Sequence, residues 1–126
     1  MPLSEDSPRA EILDEAKKLI LGDRNPQYGE PTQNFDRTAQ ILNAQGYRGP
    51  GGAPIQMHDV ALIVIGLKLA RMVESPEKRD TWADIAGYVG CGWETIVKEM
   101  ENRDNTYPLV KRHRIREFVW RLRGGL

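Results

Sequence analysis

A single cysteine, Cys91, in 126 residues leaves no partner for an intramolecular disulfide. The fold must therefore hold by packing, and the composition suits a reducing compartment. An excess of charge of one sign is also missing. The 18 Lys and Arg are matched by 18 Asp and Glu, for a formal net charge of zero. A chain so balanced lacks the broad positive field of a general nucleic-acid binder. Long apolar runs are absent too: the longest, Val60 to Leu67, is too short to span a bilayer. The opening string MPLSEDSPRAEIL is polar and acidic, without the apolar centre of a signal peptide. No Walker loop, GxSxG or CxxC pair occurs, and there is neither useful strand-like alternation nor an internal repeat. These absences predict a cytoplasmic protein with no membrane association.

What is present reads as helices. The chain is long enough for one domain with a core of four or five of them. Residues 1–6 form a loose arm. Ser7-Pro8 starts a helix as N-cap and first helical position, and Ile12, Leu13, Ala16, Leu19 and Ile20 share one stripe up to a C-cap at Gly22. The span Gly22 to Phe35 holds two Pro and is a loop rich in hydrogen-bonding groups. Pro31-Thr32 opens a second helix that stops near Gly46. The Gly- and Pro-rich segment Gly46 to Pro54 reads as a flexible connection. A third helix, about Gln56 to Glu74, is apolar nearly all round, which places it centrally or in an oligomer interface. Ser75-Pro76 breaks it. A fourth runs from Glu77 or Asp80 to Asn102, with Trp82 and Trp93 expected in the core. Its Gly87, Gly90 and Gly92 point to close helix crossing. Residues 103–126 read as a basic amphipathic tail, with Ile115, Phe118, Val119 and Leu122 on one stripe.

The candidate site residues lie on the third and fourth helices. Asp80 and Asp84, four apart, share a face and could hold Mg²⁺; alternatively Asp80 caps its helix and Asp84 pairs with a cation. Lys68 and Arg71, three apart, could meet phosphate as a point charge and a bidentate fork; alternatively they pair with Asp84 and Asp80 across a short turn. Tyr28, Asn34 and Arg37 could stack on a base, read its edge and meet phosphate, or Asn34 could satisfy turn backbone with Arg37 solvated. Tyr88 stands beside the acidic pair. His58-Asp59 at a helix start reads as a cap before it reads as metal ligands, and Cys91 as a buried thiol.

The strings ILDEAKKLILGDRNPQYGEPTQNF, DVALIVIGLKLARM and DTWADIAGYVG, in that order, resemble a family of small, mostly phage and prophage proteins of uncharacterised function. The helical layout is also similar to the all-α nucleoside triphosphate pyrophosphohydrolases, the MazG and dimeric dUTPase superfamily. That resemblance implies an all-α fold, a four-helix MazG-like core (residues 7–102) with an extra C-terminal helix. The nearly all-round apolar third helix leads us to expect an oligomer (dimer or tetramer), in the host cytoplasm if the chain is phage-encoded. The resemblance further implies hydrolysis of a (deoxy)nucleoside triphosphate to monophosphate and pyrophosphate through acids that bind Mg²⁺. Asp80 and Asp84 would be catalytic; Lys68, Arg71 and Arg37 would bind phosphate; Tyr28, Asn34 and Tyr88 would contact base or sugar. Asp59 would join Asp80 and Asp84 on the metal. The family's ExxD element falls on Thr81 to Asp84, with Thr81 where its Glu would stand. Its EExxE element falls on Leu67 to Arg71, where Lys68 and Arg71 replace acids. Such cations repel Mg²⁺ and attract phosphate directly. Two alternatives therefore stand beside the hydrolase: a protein that binds or sequesters a nucleotide without cutting it, and a helical interaction module with no ligand.

Overall fold

The computed structural model describes residues 4–22 and 30–106, with side chains described to Asn102. The described residues form an all-helical arrangement: α1 (Pro8–Leu21), α2 (Pro31–Ala44), α3 (Met57–Glu74) and α4 (Arg79–Thr106). The expected C-terminal helix, the first three residues and most of the loop after α1 lie outside the described residues.

Each helix start has a local cause. Ser7 Oγ accepts from the Ala10 N–H at 3.4 Å, and Pro8 takes the first helical position. At α2 the cap is Glu30, whose carboxylate accepts from the N–H groups of Thr32 and Gln33 at 3.2 and 3.1 Å and from the Thr32 hydroxyl. At α3, Asp59 Oδ2 reaches back to the Gln56 N–H at 2.8 Å, so the capping reading of His58-Asp59 holds. Gly22 closes α1 by donating its N–H to the Lys18 carbonyl.

The α2–α3 connection is ordered by hydrogen bonds rather than left loose. Asn43 donates from Nδ2 to the Ile55 carbonyl at 2.9 Å, and its Oδ1 accepts from the Ile55 N–H at 2.7 Å. One amide side chain thereby pairs both backbone groups of Ile55 as a neighbouring strand would. The Gly49 N–H closes the turn onto the Ala53 carbonyl at 2.7 Å, with Gly51 and Gly52 at φ of 70° and 80°, where a side chain would be strained.

α4 is the central element: α1, α2 and α3 all pack on it, and α2 also packs on α3. Its inner surface is small, formed by Ala83, Gly87, Cys91 and Thr95, all buried. The close crossings expected from the glycines are present. A Cβ at Gly87 would lie 3.0 Å from Ile20 Cγ2 of α1, one at Gly90 would lie 3.3 Å from Ile20 Cδ1, and one at Gly92 would lie 3.2 Å from Ala61 Cβ of α3. Phe35, Ala39, Ile55, Val60, Ala61 and Cys91 form the core.

Three expectations need correction. Trp82 and Trp93 are about half exposed, at 49% and 50%, because close approach of three neighbours admits only small residues on the inner side of α4. Trp82 instead packs over the preceding turn and donates its indole N–H to the Pro76 carbonyl at 2.7 Å. The fourth helix also runs beyond Asn102 to Thr106, since no Gly or Pro interrupts the polar run before Pro108. Finally, the Gly46 to Pro54 segment is a pinned turn, not a flexible connection.

Candidate functional site at the junction of α3 and α4

α3 and α4 are joined by a tight connection. The Ser75 N–H bonds the Arg71 carbonyl at 3.0 Å, and the Lys78 N–H bonds the Ser75 carbonyl at 3.2 Å. This turn makes the helices antiparallel neighbours and sets Lys68 level with Asp84. The two form an ion pair, Nζ to Oδ2 at 3.0 Å, with side chains 19% and 29% exposed. The pairing alternative is thus realised for these two residues. It is not realised for Arg71 and Asp80, which are exposed and make no ion pair among the described residues.

Beside this end of α3 lies an open depression of about 580 Å³, lined by Leu67, Ala70, Arg71, Glu74, Ser75, Lys78 and Thr81. A volume of this order is enough for a small organic ligand. Across the bundle, Arg79 Nε donates to Glu15 Oε2 at 2.6 Å, with Glu11 at 3.9 Å. The hydrogen bond that Arg79 donates to Glu15 and the Glu15 charge raise the Arg79 pKa above its ordinary value.

The other predicted residues are dispersed. Asp59 caps its own helix about two and a half turns from Lys68, about 13 Å along the axis. It therefore does not join Asp80 and Asp84. It lies 3.5 Å from His58 Nε2, while His58 Nδ1 meets Glu99 at 3.0 Å. Among the described residues, no three His, Cys, Asp or Glu converge as a metal set would. Arg37 is exposed and donates to Asn34 Oδ1 at 3.4 Å. Thr32, at the same end of α2, accepts from Lys98 Nζ at 3.2 Å, roughly 20 Å along α4 from Asp84. Tyr88 is half-buried, its ring 6.2 Å from that of Phe35, as part of the core rim. Tyr28 lies outside the described residues.

Sequence reasoning passed over Lys78 and Ser75, and took Thr81 only as a departure from a motif. The available signal was a short turn between two apolar helices, flanked on both sides by cations.

Described residues that are all-helical, with a polar junction of this kind, define a class by fold, not by reaction. Within that class, the chain belongs to the family described as a domain of unknown function, DUF6378, whose model matches residues 11–96. It is similar to the Gene 55 protein of Mycobacterium phage D29, at 41% identity over 80 residues covering 64% of this chain and 50% of the relative. It is likewise similar to the Gene 55 protein of Mycobacterium phage L5, at 36% identity over 98 residues, 77% of this chain and 57% of the relative. The chain thus spans about half the length of the curated relatives it matches. No solved structure matches it. No helix among the described residues is long and apolar enough to cross a membrane.

Proposed function

We propose that this chain is a MazG-like nucleotide-handling protein that binds a (deoxy)nucleoside triphosphate, or a related phosphate-bearing nucleotide, at the α3–α4 junction, in the cytoplasm of a bacterial host. One observation carries the reading: the depression there holds Arg71, a guanidinium with no carboxylate partner among the described residues, next to the Lys68–Asp84 pair. An unpaired fork of N–H donors beside an apolar wall matches phosphate joined to an organic body. Asp80, which makes no ion pair among the described residues though its charge acts on Arg79, and Asp84 would supply oxygen ligands if Mg²⁺ enters with the triphosphate. The chemistry that the ion would then supply is charge stabilisation at phosphorus and activation of water.

A second reading, binding without hydrolysis, is favoured by a separate observation. Asp84 is already neutralised by Lys68, which lowers its attraction for a cation. One assay separates the two. Deoxynucleoside triphosphates are offered with Mg²⁺ or Mn²⁺, and pyrophosphate release and binding are scored in parallel. Release supports the hydrolase, binding without release supports sequestration, and neither outcome across the panel removes the proposal.

The functional unit is proposed to be a homo-oligomer, a dimer or a tetramer. Leu62, Leu69 and Val73 of α3 are exposed at 61%, 51% and 82%. Gly66, among them, has open space where a Cβ would stand. A row of this kind is covered by water at a cost that a second copy would relieve.

A further inference from the structure

Four cations surround the α3–α4 turn, and two of them are already neutralised. Lys68 pairs with Asp84 at 3.0 Å, and Arg79 with Glu15 at 2.6 Å. The other two, Arg71 and Lys78, make no side-chain hydrogen bond or ion pair among the described residues, and both line the depression. Glu74 also lines it and pairs with neither, so two cations face one carboxylate and the depression is positive. The carbonyl end of α3 and the amide end of α4 meet here and offset each other's partial charges, so the side chains set the sign.

A largely buried residue, Thr81, also lines the depression. Thr81 is 8% exposed, and its hydroxyl has no partner among the described residues. It is nevertheless part of the depression's lining, so the little of it that remains open faces that space. Threonine on an inner helical position commonly returns its hydroxyl to a carbonyl one turn back, as Thr95 does to Gly92 at 2.6 Å. Thr81 does not: its hydroxyl stays open to solvent, since among the described residues Gln56 Oε1 alone is buried without a partner, and it can donate to a ligand oxygen in place of water.

We propose that Arg71, Lys78 and the Thr81 hydroxyl form a phosphate subsite, with Leu67 and Ala70 as the apolar wall along which the rest of the ligand lies. The inference rests on the nucleotide reading and names the part of that site that holds phosphate. Arg71 supplies paired N–H donors, Lys78 a point charge and Thr81 a neutral donor, a set that neutralises a phosphoryl group without a metal. Lys68, neutralised by Asp84, serves to fix α3 against α4 beneath the subsite.

The test is calorimetric titration of the full chain at low salt with pyrophosphate, deoxynucleoside triphosphates and the corresponding deoxynucleosides. Wild type is expected to bind the first two and to bind the nucleosides at least about tenfold more weakly. Arg71→Gln and Lys78→Gln, both exposed and safe for folding, should each lose about tenfold in affinity and flatten its salt dependence. Thr81→Val should lose several-fold, with Thr81→Ser restoring it. Lys17→Gln, an exposed charge on α1, should change nothing. If Thr81→Val fails to fold by circular dichroism, the Ser variant and the two charge variants decide. Triphosphate binding that is indifferent to Arg71 and Lys78 overturns the subsite and leaves the nucleotide reading standing. Wild type that binds neither pyrophosphate nor any triphosphate overturns the reading and the subsite with it.

Discussion

Lys68 and Asp84 meet at 3.0 Å across α3 and α4, each less than a third exposed. Such a pair is neither fully solvated nor dry. Its coupling should exceed that of a surface bridge and fall short of a buried one. Lys68→Met or Asp84→Asn alone should destabilise the chain by about 1–2 kcal/mol, and the double variant Lys68→Met with Asp84→Asn should cost less than the sum of the two. Urea unfolding of the four chains gives the coupling energy. Strict additivity would mean that the pair does not hold the helices together.

Gly87 accepts Ile20 against the backbone of α4, with only 3.0 Å left for an added Cβ. Gly87→Ala gains about 1 kcal/mol of helix propensity and forces overpacking that costs about 1–3 kcal/mol. A net loss of about 1 kcal/mol is expected. In an Ile20→Ala background the Cγ2 is gone, and the same glycine substitution should become neutral or stabilising. Thermal melts of the four chains decide, and a Gly87→Ala protein more stable than wild type would refute the crossing.

How much of this was legible beforehand depends on whether a feature is local. Ser7-Pro8 and Gly22 bound α1 because capping chemistry acts within a few residues. Lys68 opposite Asp84 followed from a short turn and equal distances on either side of it. The outward turn of Trp82 and Trp93 was not legible. Apolar periodicity marks a face, but it does not tell whether Ala83, Gly87, Cys91 and Thr95 next to it are packed more tightly. Glu30 as the α2 cap was hidden because shorter side chains lead at that position. For Lys78 the short cation-flanked turn was the one signal, and it did not single the residue out, since what distinguishes Lys78 is having no side-chain partner among the described residues, a property of the folded chain.

Glu30 provides a pH-dependent contribution of known sign. Burial pushes its carboxyl up, but the Thr32 hydroxyl, the N–H groups of Thr32 and Gln33 and the charge of Lys98 outweigh that and hold it below the ordinary 4.5. A lowered folded value means that the cap stabilises fully above the unfolded carboxyl range and that this stabilisation is lost as pH falls through the folded value. Glu30→Ala should cost about 1 kcal/mol at pH 7. The gap to wild type should narrow steadily below pH ~4.5. Unfolding curves at pH 7 and pH 3 test this, and an equal gap at both values would show that the carboxylate is not the capping group.

Val73, 82% exposed near the end of α3, is the most exposed large apolar residue described, and Leu69 precedes it by one helical turn. A single chain gains nothing by presenting both to water, whereas burying each against a second copy would contribute roughly 1.5–3 kcal/mol. Val73→Glu and Leu69→Lys should therefore leave the fold intact by circular dichroism while converting an oligomer to monomer in light scattering at micromolar concentration. Both substitutions sit in solvent within the single chain, so a change in mass cannot be put down to a damaged core. Leu67 and Ala70 of the same helix line the depression, so dissociation should also weaken triphosphate binding if the second copy closes its open side. A wild-type chain that runs as a monomer across that range would remove the oligomer and leave the α3–α4 junction to act alone.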